Sequence, residues 1–255
     1  MFRKILFTIL LLAAASLAYD VTFVCDDGGG ASSFNTIPQA ICDPMSESFT
    51  YIMYNDNRDE GLLTSNPAWW ANQRLVIWYA SGTTGFGRLL TTAELNAAND
   101  FLANGGWLLV TGYDMLGNPD DPLMADLVRS TVYGCYHSSN DLTFTITNPD
   151  HFLVDGPYGT FNGTLSFTEN LADEMIPDSS QGCVEVIDID QTYDSKVIDC
   201  AVGSGRITTW NGNETSTNWQ DADCANMVRN WIAEGLAPAA IEETTWGQLK
   251  ASFSK

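Results

Sequence analysis

The chain has 255 residues, 45% hydrophobic and 11% aromatic, with 11 Lys plus Arg against 32 Asp plus Glu and a net charge of −21. That length holds a sizeable core in one large domain or two small ones, and the apolar content excludes a disordered chain. The charge excludes sequence-independent nucleic-acid binding, because phosphates would be repelled.

The first residues read as an export signal. Arg3 and Lys4 precede an apolar run from Ile5 to Ala15, and Ser16-Leu17-Ala18 offers small residues for cleavage before Tyr19. The run is too short to span about 30 Å of hydrocarbon, so no membrane span is expected. The predicted organisation is a signal at 1–18, one α/β domain over 19–236, and a linker with tail over 237–255. A secreted protein, periplasmic, cell-surface or extracellular, follows from it. Cys25, Cys42, Cys135, Cys183, Cys200 and Cys224 remain after cleavage. An even number in an exported chain favours disulfides, with more pairings than sequence can choose among. There is no C-x-x-C, and His137 and His151 lack zinc-ligand spacing. The sequons at Asn162 and Asn213 are short enough to arise by chance.

Val21 to Cys25 is an apolar strand ending at Asp26-Asp27-Gly28-Gly29-Gly30. Ile37, Ala40 and Ile41 follow at helical spacing, Phe49 to Tyr54 reads as a second strand, and Leu75 to Tyr79 as a third, buried on both faces. Thr91 and Glu94 form a capping box before the stripe Leu95, Ala98, Leu102, and Gly105-Gly106 ends that helix ahead of the strand Trp107 to Thr111. This rhythm predicts βαβ crossovers and a mainly parallel sheet. Four more strands are expected at 142–147, 184–189, 196–202 and 206–210, then a helix over 221–235 whose buried face is Cys224, Met227, Val228, Trp231 and Ile232.

Three of these segments resemble the class I glutamine amidotransferase-like domains of exported bacterial proteins. They are Val21 to Gly29, then Leu75 to Tyr79 with Leu90 to Gly112, and Asn148-Pro149-Asp150-His151 with Asp155-Gly156-Pro157, the last also similar to ThuA-like proteins. The resemblance implies a flavodoxin-like three-layer sandwich. Active amidotransferases carry a Gly-x-Cys-x-Gly turn after the fourth strand, and here it reads Gly112-Tyr113-Asp114-Met115-Leu116. Asp114 occupies the nucleophile position and no His-x-Glu pair exists to serve as base. The pattern therefore argues against glutaminase chemistry.

Other candidates carry a functional and a plainer reading side by side. Asp26, Asp27 and Asp114 follow strand ends, where ligands bind in open parallel sheets, with Gly28 and Gly29 permitting close approach; alternatively the acids cap helices and turns. His151 is a candidate general acid or base with Asp150 or Asp155 orienting it, or a loop histidine bonded to backbone. Cys25 is a nucleophile candidate set against a disulfide or buried thiol. Asn55, Asn57 and Asp59 alternate as in a calcium loop, and Asp188, Asp190 and Asp194 form a second acidic run; solvated loops account for both. Trp69, Trp70 and Trp78 suit a carbohydrate surface or a core. In the tail, Thr245 and Gln248 form a capping box, and Trp246, Leu249 and Phe253 share one helical face. The ending resembles the Thr-Trp-Gly-x-(Ile/Leu)-Lys endings of other exported bacterial proteins. It implies docking or sorting, or a helix packed on its own domain.

Three functions remain open. The first is a non-catalytic binding or scaffolding module with no cofactor, meeting an extracellular ligand or protein. The second is a hydrolase, glycan-directed as the ThuA-like resemblance implies, using His151 with Asp26 or Asp114. The third is a calcium-stabilised structural domain.

Overall fold

The computed structural model describes residues 19–26, 36–55, 63–80, 89–112, 115–116, 120–137, 143–166, 171–189, 195–212, 219 and 221–237. In chain order the helices and main-sheet strands are β1 (Val21–Asp26), α1 (Ile37–Cys42), β2 (Tyr51–Asn55), α2 (Pro67–Trp70), β3 (Leu75–Ala80), α3 (Thr92–Ala103), β4 (Trp107–Gly112) and α4 (Pro122–Val128). There follow the short strands β5 (Cys135–His137), β6 (Thr143–Ile146), β7 (Asp155–Gly156), β8 (Gly159–Thr160), β9 (Thr164–Ser166) and β10 (Leu171–Asp173), then β11 (Cys183–Ile189), β12 (Ser195–Val202), β13 (Gly205–Asn211) and α5 (Ala222–Leu236).

Nine strands form one sheet in the order β2-β1-β3-β4-β13-β12-β11-β6-β9. The first five are parallel, in the flavodoxin-like order with a switch point between β1 and β3. From β13 onward every pairing is antiparallel, which the sequence rhythm of the first half did not announce. The two halves differ because β12 and β13 are joined by the tight Gly203-Ser204 turn, too short for a crossover helix.

Helices cover both faces. On one, α1 and α5 bury Ile37, Ile41, Met227, Val228 and Trp231 against Phe23, Ile77 and Leu109. On the other, α3 and α4 bury Ala98, Leu102, Leu127 and Val128 against Val76, Leu108 and Val110. β1 and β3 are buried nearly throughout, as strands covered on both faces must be. The Thr91–Glu94 capping box forms as expected, and Thr64 Oγ1 donates to the buried Glu94 carboxylate at 2.5 Å. Asp221 caps α5 through the N–H groups of Asp223 and Cys224. Among the described residues, no helix is long and apolar enough to cross a membrane.

The cysteines divide. Cys183 and Cys200 face each other across β11 and β12 and are bridged. Cys25, Cys42 and Cys224 are buried thiols, so the disulfide expectation holds for one pair only among these five. The tryptophans resolve as core: Trp70 and Trp78 are each 1% exposed, with Trp70 packed on Phe101 and Trp78 at centroid distances of 5.0 and 6.1 Å. Trp70 and Trp78 thus offer no carbohydrate platform, and Trp69 is half-buried with its ring 4.9 Å from that of Trp70.

Candidate functional site

The crevice at the carboxyl ends of the parallel strands is the expected ligand position in this sheet order. Asp26 ends β1 there, half-buried. It does not cap α1, which opens at Thr36 without a side-chain cap. Asp27, Gly28, Gly29 and Asp114 lie outside the described residues, as do Asn57 and Asp59, while Asn55 is the last residue of β2. Among the described residues no three His, Cys, Asp or Glu side chains gather as a metal site.

Just inside these strand ends, the floor of the sheet is a row of register partners across four strands, Cys25, Tyr79, Thr111 and Trp210, all of them buried in the core. One residue further on, Gly112 has no room for a side chain. A Cβ there would stand 1.7 Å from the Ala80 carbonyl oxygen, so β3 and β4 converge at backbone distance at their carboxyl ends. Trp219 closes the floor, its ring edge-on to Trp210 at 6.1 Å and 88°.

Thr111 Oγ1, Trp210 Nε1 and Trp219 Nε1 are all buried and find no hydrogen-bond partner among the described residues. An unsatisfied buried polar group costs about 1–3 kcal/mol, so three side by side stand out. Trp69 and Trp78 also leave their indole N–H groups unpartnered, but within the tryptophan cluster around Trp70.

Beside this floor is a buried polar cluster that sequence reading missed. Asn211 is fully buried; its amide donates to the carbonyls of Asp173 and Ser195 at 2.7 and 3.0 Å and accepts from Asp173 N–H at 2.8 Å. The Asp173 carboxylate accepts from Leu116 N–H at 3.1 Å, and the buried Lys196 ammonium donates to the Asn211 carbonyl. These bonds fasten β10, β12 and β13 to the loop after β4. Lys196 lies 5.4 Å from the Phe144 ring centroid. Its only sequence signal was being one of very few lysines, placed at the start of a strand.

His151 stands near the opposite end of the sheet. Its Nε2 is 3.2 Å from Asp199 Oδ2, off line for a hydrogen bond, and its Nδ1 accepts from Leu153 N–H at 3.3 Å. Asp199 is 1% exposed, in contact with the Arg206 guanidinium, and accepts from Thr208 Oγ1 at 2.6 Å. Trp231 Nε1 of α5 donates to the same hydroxyl at 2.9 Å. Arg206 lies over the rings of Trp107 and Phe152, 5.2 and 4.9 Å from their centroids. The orienting acid is thus neither Asp150 nor Asp155; Asp155 instead accepts from Thr160 Oγ1 at 2.7 Å.

The predicted His151–Asp26 pair is not brought together. Asp199 sits on β12 and Asp26 on β1, four strand spacings apart, about 19 Å at some 4.8 Å per strand. Proton transfer needs hydrogen-bond contact, so these residues cannot act as one dyad. The Asn148 to Pro157 motif has a structural purpose. Asn230 of α5 accepts from Tyr158 N–H at 2.7 Å and donates to the Leu153 and Gly159 carbonyls at 3.1 and 3.0 Å. A Cβ at Gly156 would meet the Asn230 amide at 2.6 Å, which explains the glycine.

Cys42 and Asp121 are among the groups whose pKa values burial displaces. Burial, aided by Asp43, pushes the Cys42 thiol up to about 12. Burial also raises Asp121, against the lowering effect of bonds from the N–H groups of Leu90, Met124 and Leu123.

No family model and no curated protein matches this sequence. Solved structures do. "Cytoplasmic Protein STM3548" from Salmonella typhimurium aligns over 84% of this chain and 98% of its own, with TM-score 0.60 and 11% identity. A putative ThuA-like protein from Bacteroides uniformis aligns over 86% and 93%, with TM-score 0.54 and 12% identity. A β-galactosidase from Bacillus circulans sp. alkalophilus matches 88% of this chain over 32% of its own length, at TM-score 0.51 and 12% identity. The chain therefore has the three-layer α/β fold shared by ThuA-like proteins and class I glutamine amidotransferase-like domains.

Proposed function

We propose that the protein is an exported, non-catalytic binding module whose ligand sits in the crevice at the carboxyl ends of the parallel strands. The carrying observation is that three neighbouring buried groups, Thr111 Oγ1, Trp210 Nε1 and Trp219 Nε1, find no hydrogen-bond partner among the described residues. Indole N–H groups only donate, so the complementary ligand presents acceptor oxygens. The chain's charge of −21 repels anions, which favours a neutral, hydroxyl- or carbonyl-rich small molecule. The hydrolase reading with Asp26 loses its support because His151 is held against Asp199, about 19 Å across the sheet from β1, while Asp114 lies outside the described residues. Export rests on the residues before Tyr19 alone.

Thermal unfolding with galactose, mannose, glycerol and acetate tests this reading. A neutral polyol should raise the melting temperature of the wild type in a saturable way, and Thr111→Val should reduce that rise. Stabilisation by acetate alone, or by none of the four, contradicts it.

A further inference from the structure

The chain holds three Asn-Gly pairs, Asn104-Gly105, Asn162-Gly163 and Asn211-Gly212. Glycine has no side chain to shield its backbone nitrogen, so that nitrogen can reach the Cγ of a preceding asparagine and close a succinimide ring. The fold treats the three pairs differently. Asn104 follows α3, where its amide donates to the Asp100 carbonyl at 2.8 Å and the Gly105 N–H donates to the Leu102 carbonyl at 3.0 Å. Both reacting groups are held there. Asn211 is fully buried, and its amide is fixed by the bonds to Asp173 and Ser195. Asn162 is exposed, in the turn ahead of β9. Among the described residues, neither its side-chain amide nor the Gly163 N–H has a hydrogen-bond partner. Gly163 stands at φ 77°, and a Cβ there would meet nothing within 4 Å, so the turn has open space for a ring.

We propose that Asn162 is a site of spontaneous deamidation, and that the folded chain confines this reaction to the Asn162-Gly163 pair. The Gly163 nitrogen bonds to Asn162 Cγ and gives up its proton, the Cγ–Nδ2 bond breaks, and ammonia leaves with that proton. Solvent water then opens the succinimide at either carbonyl, leaving aspartate or isoaspartate at position 162. Water is the only co-reactant, and the exposure of Asn162 supplies what burial denies Asn211. Both products add a carboxylate to an already acidic chain. The isoaspartate form also routes the main chain through one extra carbon immediately before Gly163. The Gly163 carbonyl accepts from Ile146 N–H at 2.9 Å, next to the Thr145–Thr164 register pair that joins β6 to β9. β9 is the edge of the nine-stranded sheet, so the lengthened backbone loosens a strand that is paired on one side only.

Peptide mapping by mass spectrometry decides the matter, on the full-length chain incubated in mildly alkaline buffer with and without urea. In the native protein Asn162 should convert about tenfold faster than Asn104 or Asn211, with aspartate and isoaspartate forms separating as products of equal mass. In urea the three rates should draw together, because the sequence pair is the same at each position. Gly163→Ala, whose methyl group enters open space, should slow conversion at position 162 several-fold in the native protein. Native conversion at Asn104 or Asn211 as fast as at Asn162 overturns the proposal. So does an Asn162 that stays intact in the native protein while the urea-unfolded chain converts, or a rate at position 162 unchanged by Gly163→Ala.

Discussion

Asp199 and His151 meet at 3.2 Å in the interior although 48 positions separate them in the chain, and the contact joins β12 to the loop after β6. Asp199 is also held by the Arg206 guanidinium, which compensates its charge, and by the Thr208 hydroxyl. Removing the carboxylate leaves Arg206 and His151 facing nothing. Asp199→Ala should destabilise the fold by about 3–5 kcal/mol, lowering the melting temperature by roughly 6 to 20 °C for a domain of this size. Thermal denaturation followed by circular dichroism reads this directly. A change within error would show that the cluster is not part of the fold's stability.

Gly112→Ala places its methyl carbon 1.7 Å from the Ala80 carbonyl oxygen, at a backbone approach with no flexible side chain to yield. The predicted result is loss of the folded state or a melting temperature many degrees lower. Gly182→Ala is the informative control. Gly182, unlike Gly112, has positive φ, 77°, but a Cβ there meets nothing within 4 Å, so only conformational strain of about 1–2 kcal/mol is expected.

The Cys183–Cys200 bridge closes a loop of sequence separation 17 across adjacent strands. Reduction should cost about 3 kcal/mol by the loop-entropy account, read as a lower denaturant midpoint after treatment with reductant.

The parallel half of the fold was legible because buried strands and a capped amphipathic helix leave local marks: Leu75 to Tyr79, the Thr91–Glu94 box, the stripe on α5. α4 was not read, although Asp121 followed by Pro122 is a start signal, because seven residues give too little periodicity. The site divides the same way. That strand ends would rim a crevice followed from topology, whereas Thr111, Trp210 and Trp219 become neighbours only through register and packing. His151 drew attention for its residue type, but its partner was set by the antiparallel strands beyond β13, and local spacing pointed to Asp150 and Asp155 instead.

Cys42 supplies a prediction in pH. Its thiol is pushed up from 9.0 to about 12, so folding favours the protonated form. The contribution to stability is full below 9.0 and disappears as pH rises toward about 12. At about pH 8 the native protein should leave Cys42 unmodified by iodoacetamide, and denaturant should expose it. Native labelling at Cys42 would contradict the burial.

Asp121 gives the companion case at the acid end. Burial raises its pKa above 3.8, so its contribution is greatest below that value and is lost as pH rises through the folded value. Asp121→Asn keeps a capping oxygen without the charge. Its stability relative to wild type should therefore improve as pH is raised from about 4 to about 7, measured by urea unfolding at each pH. A difference that is constant with pH would contradict the assignment.

The most direct test of the crevice reading watches the indole N–H groups themselves in a ¹⁵N-correlated spectrum of the full chain. Among the described residues Trp210 and Trp219 find no acceptor, whereas Trp70 donates to the Thr64 carbonyl at 2.7 Å and Trp231 to Thr208. Titration with the stabilising polyol should shift the Trp210 and Trp219 signals and leave those of Trp70 and Trp231 in place. A stabilising ligand that leaves Trp210 and Trp219 unmoved would place binding elsewhere and contradict the account.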